Sequence, residues 1–272
     1  MRMLPAAITT AYHTELGLSY LCAGDTGPVL LFLHGWGAFK ELWWMTLRDL
    51  GQDYRCFALD MPGHGDSRLG RAATIPALAE VVIAFCEQMG LREVILFGHS
   101  MGGSVAAEIA LQRPDLLRML FLVDAAVESQ RMPLFTRIYL LPHVGWPALR
   151  LSQMLGRLFS PLGMRVPHEH GGGVLRPWAR RAAYLARFDP EGLYRLLRSL
   201  FTHREPARLR GISTPTVVVS GLFDLLVPIY LSYRLARHIH GAKLSIIPAA
   251  VHNPMDERPG DFCRVVRRLL GE

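Results

Sequence analysis

The sequence predicts an α/β protein: a doubly wound, mostly parallel sheet with a helical cap inserted into it. Three observations carry that expectation. A continuous apolar run at residues 28–33 reads as a strand buried on both faces, and apolar or β-prone stretches at 94–97 and 215–220 read as further strands. Stretches with apolar residues at helical spacing alternate with them, the pattern of successive βαβ units. The alternation stops at Ala126, gives way to an irregular segment with several helical stretches, and resumes after Arg210. Residues 1–125 and 211–272 are therefore expected to form the sheet domain, and residues 126–210 the cap.

Residues 8–23 alternate loosely and predict one or two strands before the turn at Asp25-Thr26-Gly27. The buried strand over 28–33 runs into His34-Gly35-Trp36-Gly37, and a helical stretch covers 42–50. The next strand, 54–59, ends in a turn-rich loop, Asp60-Met61-Pro62-Gly63-His64-Gly65-Asp66-Ser67. Helical spacing over 75–89 stops at Gly90. A strand at 94–97, a helix through Gln112 and a strand over 117–123 ending at Asp124 complete the first part. After the insertion come a strand at 215–220, a helix over 229–240, a strand at 243–247, a loop holding His252 and a closing helix over 262–270. Sites of open α/β sheets lie beyond the carboxyl ends of the strands. An insertion after Asp124 should therefore hang over those ends.

Half of the 272 residues are hydrophobic, enough for a sizeable core. No run of eighteen apolar residues predicts a membrane span. The N-terminal stretch breaks at Pro5 and turns polar by Thr9, too short an apolar run for a signal peptide. Cys22, Cys56, Cys86 and Cys263 lie far apart and match no metal spacing, so reduced thiols in a cytoplasmic protein are expected. The net charge of +7 is unevenly placed: residues 126–210 hold fourteen arginines, no lysine and five acids, against sixteen bases and eighteen acids elsewhere. Basic chains often bind nucleic acid, but an excess confined to one inserted segment reads as a property of that segment, and no nucleic-acid partner is expected.

The chemistry centres on Gly98-His99-Ser100-Met101-Gly102, a G-x-S-x-G pattern with a strand before it and a helix after it. So tight a turn strains its central residue and brings strand against helix, which requires Gly98 and Gly102 to lack side chains. Ser100 then stands at the tip, at the positive end of the next helix. A serine hydroxyl needs an adjacent base, and the base an orienting group. Among eleven histidines, His252 stands alone in the loop after the last strand, and Asp224 follows the strand before it. The order Ser100, Asp224, His252 is the nucleophile–acid–base order of this sheet type. Asp124, also at a strand end, is the rival acid, and Asp60 is expected to cap or brace its loop. The amides of Met101 and Trp36 are the candidate oxyanion donors, with Gly35 and Gly37 allowing the Trp36 backbone to come close. His34 and His99 are expected to pack or hydrogen-bond near the elbow.

On these residues, with Gly221-Leu222-Phe223-Asp224, Val227-Pro228, and Glu257 and Pro259 after His252, the chain resembles the α/β-hydrolase superfamily, in its group of capped esterases, lipases and carbon–carbon bond hydrolases. The motifs span the chain outside the insertion. The resemblance implies the α/β-hydrolase fold, Ser100 as nucleophile, His252 as base, Asp224 as acid, the Trp36 and Met101 amides as oxyanion hole, and no cofactor or metal. It argues against the haloalkane dehalogenases and epoxide hydrolases, which carry an aspartate where this chain has Ser100. One departure is Ala249-Ala250-Val251, where such hydrolases often carry a glycine. The expected substrate is a small hydrophobic acyl compound, cleaved at a carboxylic ester through an acyl-enzyme. The alternatives are hydrolysis of a carbon–carbon bond next to a ketone, and a non-catalytic binding or accessory protein on the same fold.

Residues 134–165 mix Leu, Phe, Trp, Tyr and Met with arginines. Either the apolar stripes pack the cap onto the domain and the arginines are solvated, or the apolar side lines an acyl pocket while arginines face an anionic lipid surface or substrate. His168-Glu169-His170 lacks the spacing of a zinc helix motif. Gly171-Gly172-Gly173 reads as a hinge or mobile lid tip, and His238-Ile239-His240 as an exposed helix end.

Overall fold

The computed structural model describes residues 6–70, 72–163, 183–203 and 208–271. The expectations for His168, His170 and the triple glycine lie outside those residues. β1 (Ile8–His13) and β2 (Leu18–Ala23) form an antiparallel hairpin, and β3 (Val29–Leu33) follows. A 3₁₀ turn over Lys40–Trp43 leads into α1 (Trp44–Leu50). Then come β4 (Arg55–Leu59), α2 (Ile75–Gln88), β5 (Val94–His99), α3 (Met101–Gln112) and β6 (Leu117–Val123). The inserted segment contributes a 3₁₀ stretch over Leu134–Leu140, α4 (Gly145–Gly163) and α5 (Pro190–Thr202). β7 (Thr216–Gly221), α6 (Ile229–His238), β8 (Lys243–Ile247), the short α7 (Pro254–Glu257) and α8 (Pro259–Leu270) complete the chain.

The eight strands make one sheet in the order β1-β2-β4-β3-β5-β6-β7-β8. β2 is antiparallel to β1 and β4, and every other pairing is parallel. Alternation along the central strands explains the two layers of helices. Leu31, Leu33, Leu96, Leu120 and Val218 point into the core beneath α2, α3 and α6. Leu30, Phe32, Phe97, Phe121 and Val219 point to the other face, beneath α1 and α8. There Phe32, Phe97 and Phe121 occupy one register across three strands and stack with ring centroids 4.6 and 4.4 Å apart. Stacked aromatic rings add to the burial energy of the strands that carry them.

Several helix boundaries differ from the sequence reading. The helix expected over 229–240 ends at His238, because Ile239 turns extended. The closing helix begins at Pro259 rather than 262, preceded by α7, which periodicity cannot show in four residues. Within the insertion, α5 is capped by Asp189, whose carboxylate accepts the Gly192 amide at 2.6 Å. It buries Leu193, Leu196, Leu197 and Leu200 at helical spacing. Ser129 and Gln130 donate to the Leu200 and Phe201 carbonyls at 2.7 and 3.1 Å and tie α5 to the start of the insertion.

Candidate active site

Ser100 joins β5 to α3 with φ 52° and ψ −118°, a conformation non-glycine residues avoid. Bare glycines around it make the turn possible. A Cβ on Gly98 would lie 2.4 Å from the Gly102 carbonyl oxygen, and one on Gly102 2.6 Å from the carbonyl oxygens of Leu33 and His34. Gly103 is held by the same need, since a Cβ there would meet that of Ala125 at 2.4 Å. Backbone hydrogen bonds lock the strained residue: its amide donates to the Val123 carbonyl at 3.0 Å, and its carbonyl accepts the Gly103 and Ala126 amides at 2.9 and 3.0 Å.

The loops after β7 and β8 are laced together by the Leu222 and Phe223 amides, which donate to the Ile247 and Ala250 carbonyls. One carboxylate oxygen of Asp224 accepts the Leu226 and Val227 amides at 2.8 and 3.0 Å. The other accepts His252 Nδ1–H at 2.7 Å, with both residues buried. That bond fixes the tautomer, so a neutral His252 presents the lone pair of Nε2. The His252 backbone is held in turn. Its carbonyl accepts His99 Nε2–H at 2.7 Å, and Glu257 accepts the flanking Val251 and Asn253 amides at 2.6 and 3.0 Å. Glu257 stands out in the sequence only through the family resemblance; its job as a clamp is visible in the bonds.

Asp124 lies behind this pair. It is fully buried, with φ 41°, and accepts the Ser220 hydroxyl and the Gly221 amide at 3.0 Å each. Burial first, and then the adjacent Asp224 charge, push its carboxyl well above the usual range. The structure brings Asp224, not Asp124, to the imidazole.

The loop after β3 sits against Ser100 so closely that a Cβ on Gly35 would stand 2.8 Å from the serine Cβ. Trp36 and Met101 therefore flank Ser100 from the loop and from the first turn of α3. Three bonds fasten the loop to the one after β4. The Met61 amide donates to His34 Nε2 at 3.0 Å, the Gly37 amide to His64 Nε2 at 3.1 Å, and the Lys40 amide to Asp60 at 2.8 Å. The Trp36 indole donates to the Leu193 carbonyl of α5 at 2.8 Å and so joins the loop to the insertion.

Lys40 was not singled out by the sequence. Its side chain is 2 % exposed, and Nζ lies 2.6, 2.9 and 3.3 Å from Asp60, Asp66 and Glu41. Burial would lower its pKa, but the Asp60 and Glu41 charges outweigh it and hold the ammonium charged. Burial and the Asp60 charge push Glu41 upward. Asp60 thus braces two loops at once, as its position suggested. The available signal was the recurrence of acids at 60 and 66 around glycine turns, which needs a cation the sequence leaves unassigned.

Ser100 and His252 open onto a shared cavity of about 400 Å³, walled by Trp36, Met132, Tyr139, Leu197 and Leu226 among others. A strained serine, an oriented imidazole with a buried carboxylate, and an apolar cavity suit acyl chemistry.

The sequence model of the α/β hydrolase fold family matches residues 28–259, and the chain belongs to that family. The pimeloyl-[acyl-carrier protein] methyl ester esterase of Nitrosomonas europaea is 27 % identical over 252 residues, covering 87 % of this chain and 93 % of that protein. The dihydrolipoyllysine-residue acetyltransferase component of an acetoin cleaving system from Cupriavidus necator is 37 % identical over 278 residues, covering 98 % and 70 %. Among solved structures, a hydrolase from Pseudomonas aeruginosa superposes with a TM-score of 0.76 at 22 % identity, over 97 % of this chain and 98 % of that one. The chain is an α/β-hydrolase enzyme.

Proposed function

We propose that this enzyme is a serine hydrolase that cleaves carboxylic esters of hydrophobic acyl groups. The observation that carries the reading is the 2.7 Å bond from His252 to Asp224, with His252 and Ser100 on one cavity. Ser100 Oγ attacks the acyl carbonyl while His252 Nε2 takes its proton, and Asp224 stabilises the imidazolium. The tetrahedral oxyanion accepts hydrogen bonds from the Trp36 and Met101 amides. Collapse breaks the ester bond, His252 returns the proton to the departing alkoxide, and the acyl group stays on Ser100. Water, deprotonated by His252, then attacks the acyl-enzyme and releases the acid.

The mainly apolar cavity walls fit an acyl chain and leave the polar end at Ser100. Residues 126–210 act as a cap that supplies Met132, Tyr139 and Leu197 to those walls. The free thiols Cys22, Cys56, Cys86 and Cys263 suit a cytoplasmic setting.

A second reading draws on the Cupriavidus necator relative, named as an acetyltransferase component. The same acyl-enzyme would then pass its acyl group to a thiol or alcohol instead of water. Both readings require a fluorophosphonate to modify Ser100 stoichiometrically. Both also require Ser100→Ala to lower turnover of nitrophenyl esters by roughly 10⁴- to 10⁶-fold. A graded ester panel run with and without an added thiol separates water from another acceptor. A vinylogous diketone run beside it tests carbon–carbon cleavage. A folded protein that neither labels nor turns over any of these would be a binding protein on the same fold.

A further inference from the structure

The large hydrophobic side chains left exposed are concentrated in two stretches of the chain. Among the described residues there are sixteen; ten fall within residues 134–158 and five within 222–233. Each stretch has residues on the cavity wall and so supplies one bank of its mouth. Phe135 and Ile138 line the cavity and are themselves 57 % and 44 % exposed, and Leu225, at 71 %, adjoins the cavity-lining Leu226. Tyr230 fastens the banks together by donating to the Arg131 carbonyl at 2.7 Å.

Helix α4 makes the pattern specific, because its polarity is reversed. Inward it turns Leu149, Gly156 and Gln153, whose amide donates to the Leu185 and Phe188 carbonyls at 3.1 and 2.9 Å. Outward it turns Pro147, Leu151, Met154 and Leu158, at the i, i+4, i+7, i+11 spacing of a continuous stripe, with Leu155 beside them. Exposed Arg150 and Arg157 border the stripe. From Ser129 to His168 the sequence has five arginines and no acid. An apolar stripe bordered by Arg150 and Arg157, on a helix that carries no acid, suits an interface that is apolar inside and anionic at its surface. A second copy of the chain would bring another cationic rim against the first.

We propose that the outward stripe of α4, with the Leu134–Leu140 turn and residues 222–225, seats the enzyme on an anionic lipid bilayer surface. The cavity mouth then faces the membrane. No helix among the described residues is long and apolar enough to cross a bilayer, so this contact is peripheral. An acyl substrate dissolved in the leaflet would reach Ser100 without passing through water. The docking surface itself does not depend on the triad.

Flotation of full-length Ser100→Ala protein with vesicles tests this, since that variant leaves the lipid intact. Binding is expected to vesicles of mixed phosphatidylglycerol and phosphatidylcholine, to weaken with salt, and to be much lower on phosphatidylcholine alone. Arg150→Glu should weaken binding roughly fivefold or more. Met154→Ser with Leu158→Ser should weaken it at least about tenfold. In the Ser100-containing background, these substitutions should leave turnover of a water-soluble short ester unchanged, which shows that they fold. Absence of binding to anionic vesicles, or binding indifferent to all three substitutions, overturns the proposal. So does sedimentation showing a dimer that the stripe substitutions dissolve, which would assign the face to a second copy.

Discussion

The strand ends and the inserted segment solve opposite problems with similar side chains. At the strand ends, buried polar groups are paired and aimed: His252 by Asp224, Glu257 and His99, and the loop after β3 by His34, His64 and Asp60. In α4 the polar Gln153 goes inward, while Leu151, Met154 and Leu158 face solvent. The first arrangement holds atoms to a fixed geometry, as chemistry needs. The second leaves apolar area uncovered, which is costly unless something else covers it. Fixed position and available surface have been allotted to different stretches of chain.

Substitutions at the strand ends should therefore act on rate or stability, and substitutions on the outer face of α4 on neither. Among the residues that hold the base and the loops in place, the largest effect is expected from Asp224→Asn. It removes the acceptor that sets the His252 tautomer, and kcat should fall by about 10⁴-fold with the fold intact. Pre-steady-state and steady-state ester hydrolysis would measure it. A drop of only a few-fold would remove Asp224 from the base and blur the contrast with α4.

Next comes Lys40→Met. It leaves the buried Asp60 without its cation, beside the half-buried Glu41, and breaking such a buried pair costs about 3–5 kcal/mol. Urea denaturation should show that loss. Because Asp60 also holds the Lys40 amide, and with it the loop carrying Trp36, kcat should fall while KM changes less. Unchanged stability would mean that the cluster relaxes to admit water, and that the loop rests on His34 and His64 alone.

Much of this contrast was legible in the sequence, and the reasons differ by region. The central strands were readable because burial on both faces forces unbroken apolar runs such as Leu30-Leu31-Phe32-Leu33. Ser100, Asp224 and His252 were readable because each stands just past a strand's carboxyl end, where a turn needs glycine or a small polar residue. Lys40 was not, since a lysine beside a glutamate ordinarily means a solvated helix start, and its burial depends on acids twenty and more residues away. Nor was α7, four residues long and held by the Glu257 bonds rather than by its own pattern. For α4, periodicity reveals a stripe but not whether it faces inward. That was settled by Gln153 finding two carbonyls on the inner side.

The smallest effect on activity, and the sharpest on mechanism, is expected from Asp124→Asn. An asparagine keeps an oxygen for the Gly221 amide and offers an N–H where the protonated Asp124 faces Asp224, so kcat should stay within a few-fold. Stability should respond to pH instead. With its folded pKa raised by burial and by Asp224, Asp124 keeps a proton that the unfolded chain releases above about pH 4. Its stabilising share is therefore complete below the unfolded pKa and is lost as pH rises through the folded one. Asparagine does not titrate, so the unfolding free energy of the variant relative to the parent should climb with pH from about pH 4, by at most about 1.4 kcal/mol per unit. Paired urea titrations across the acidic and neutral range would show it. A flat difference would mean that Asp124 is ionised like an ordinary surface acid. Two buried charges would then sit side by side behind His252, and the division of labour between the two aspartates would have to be redrawn.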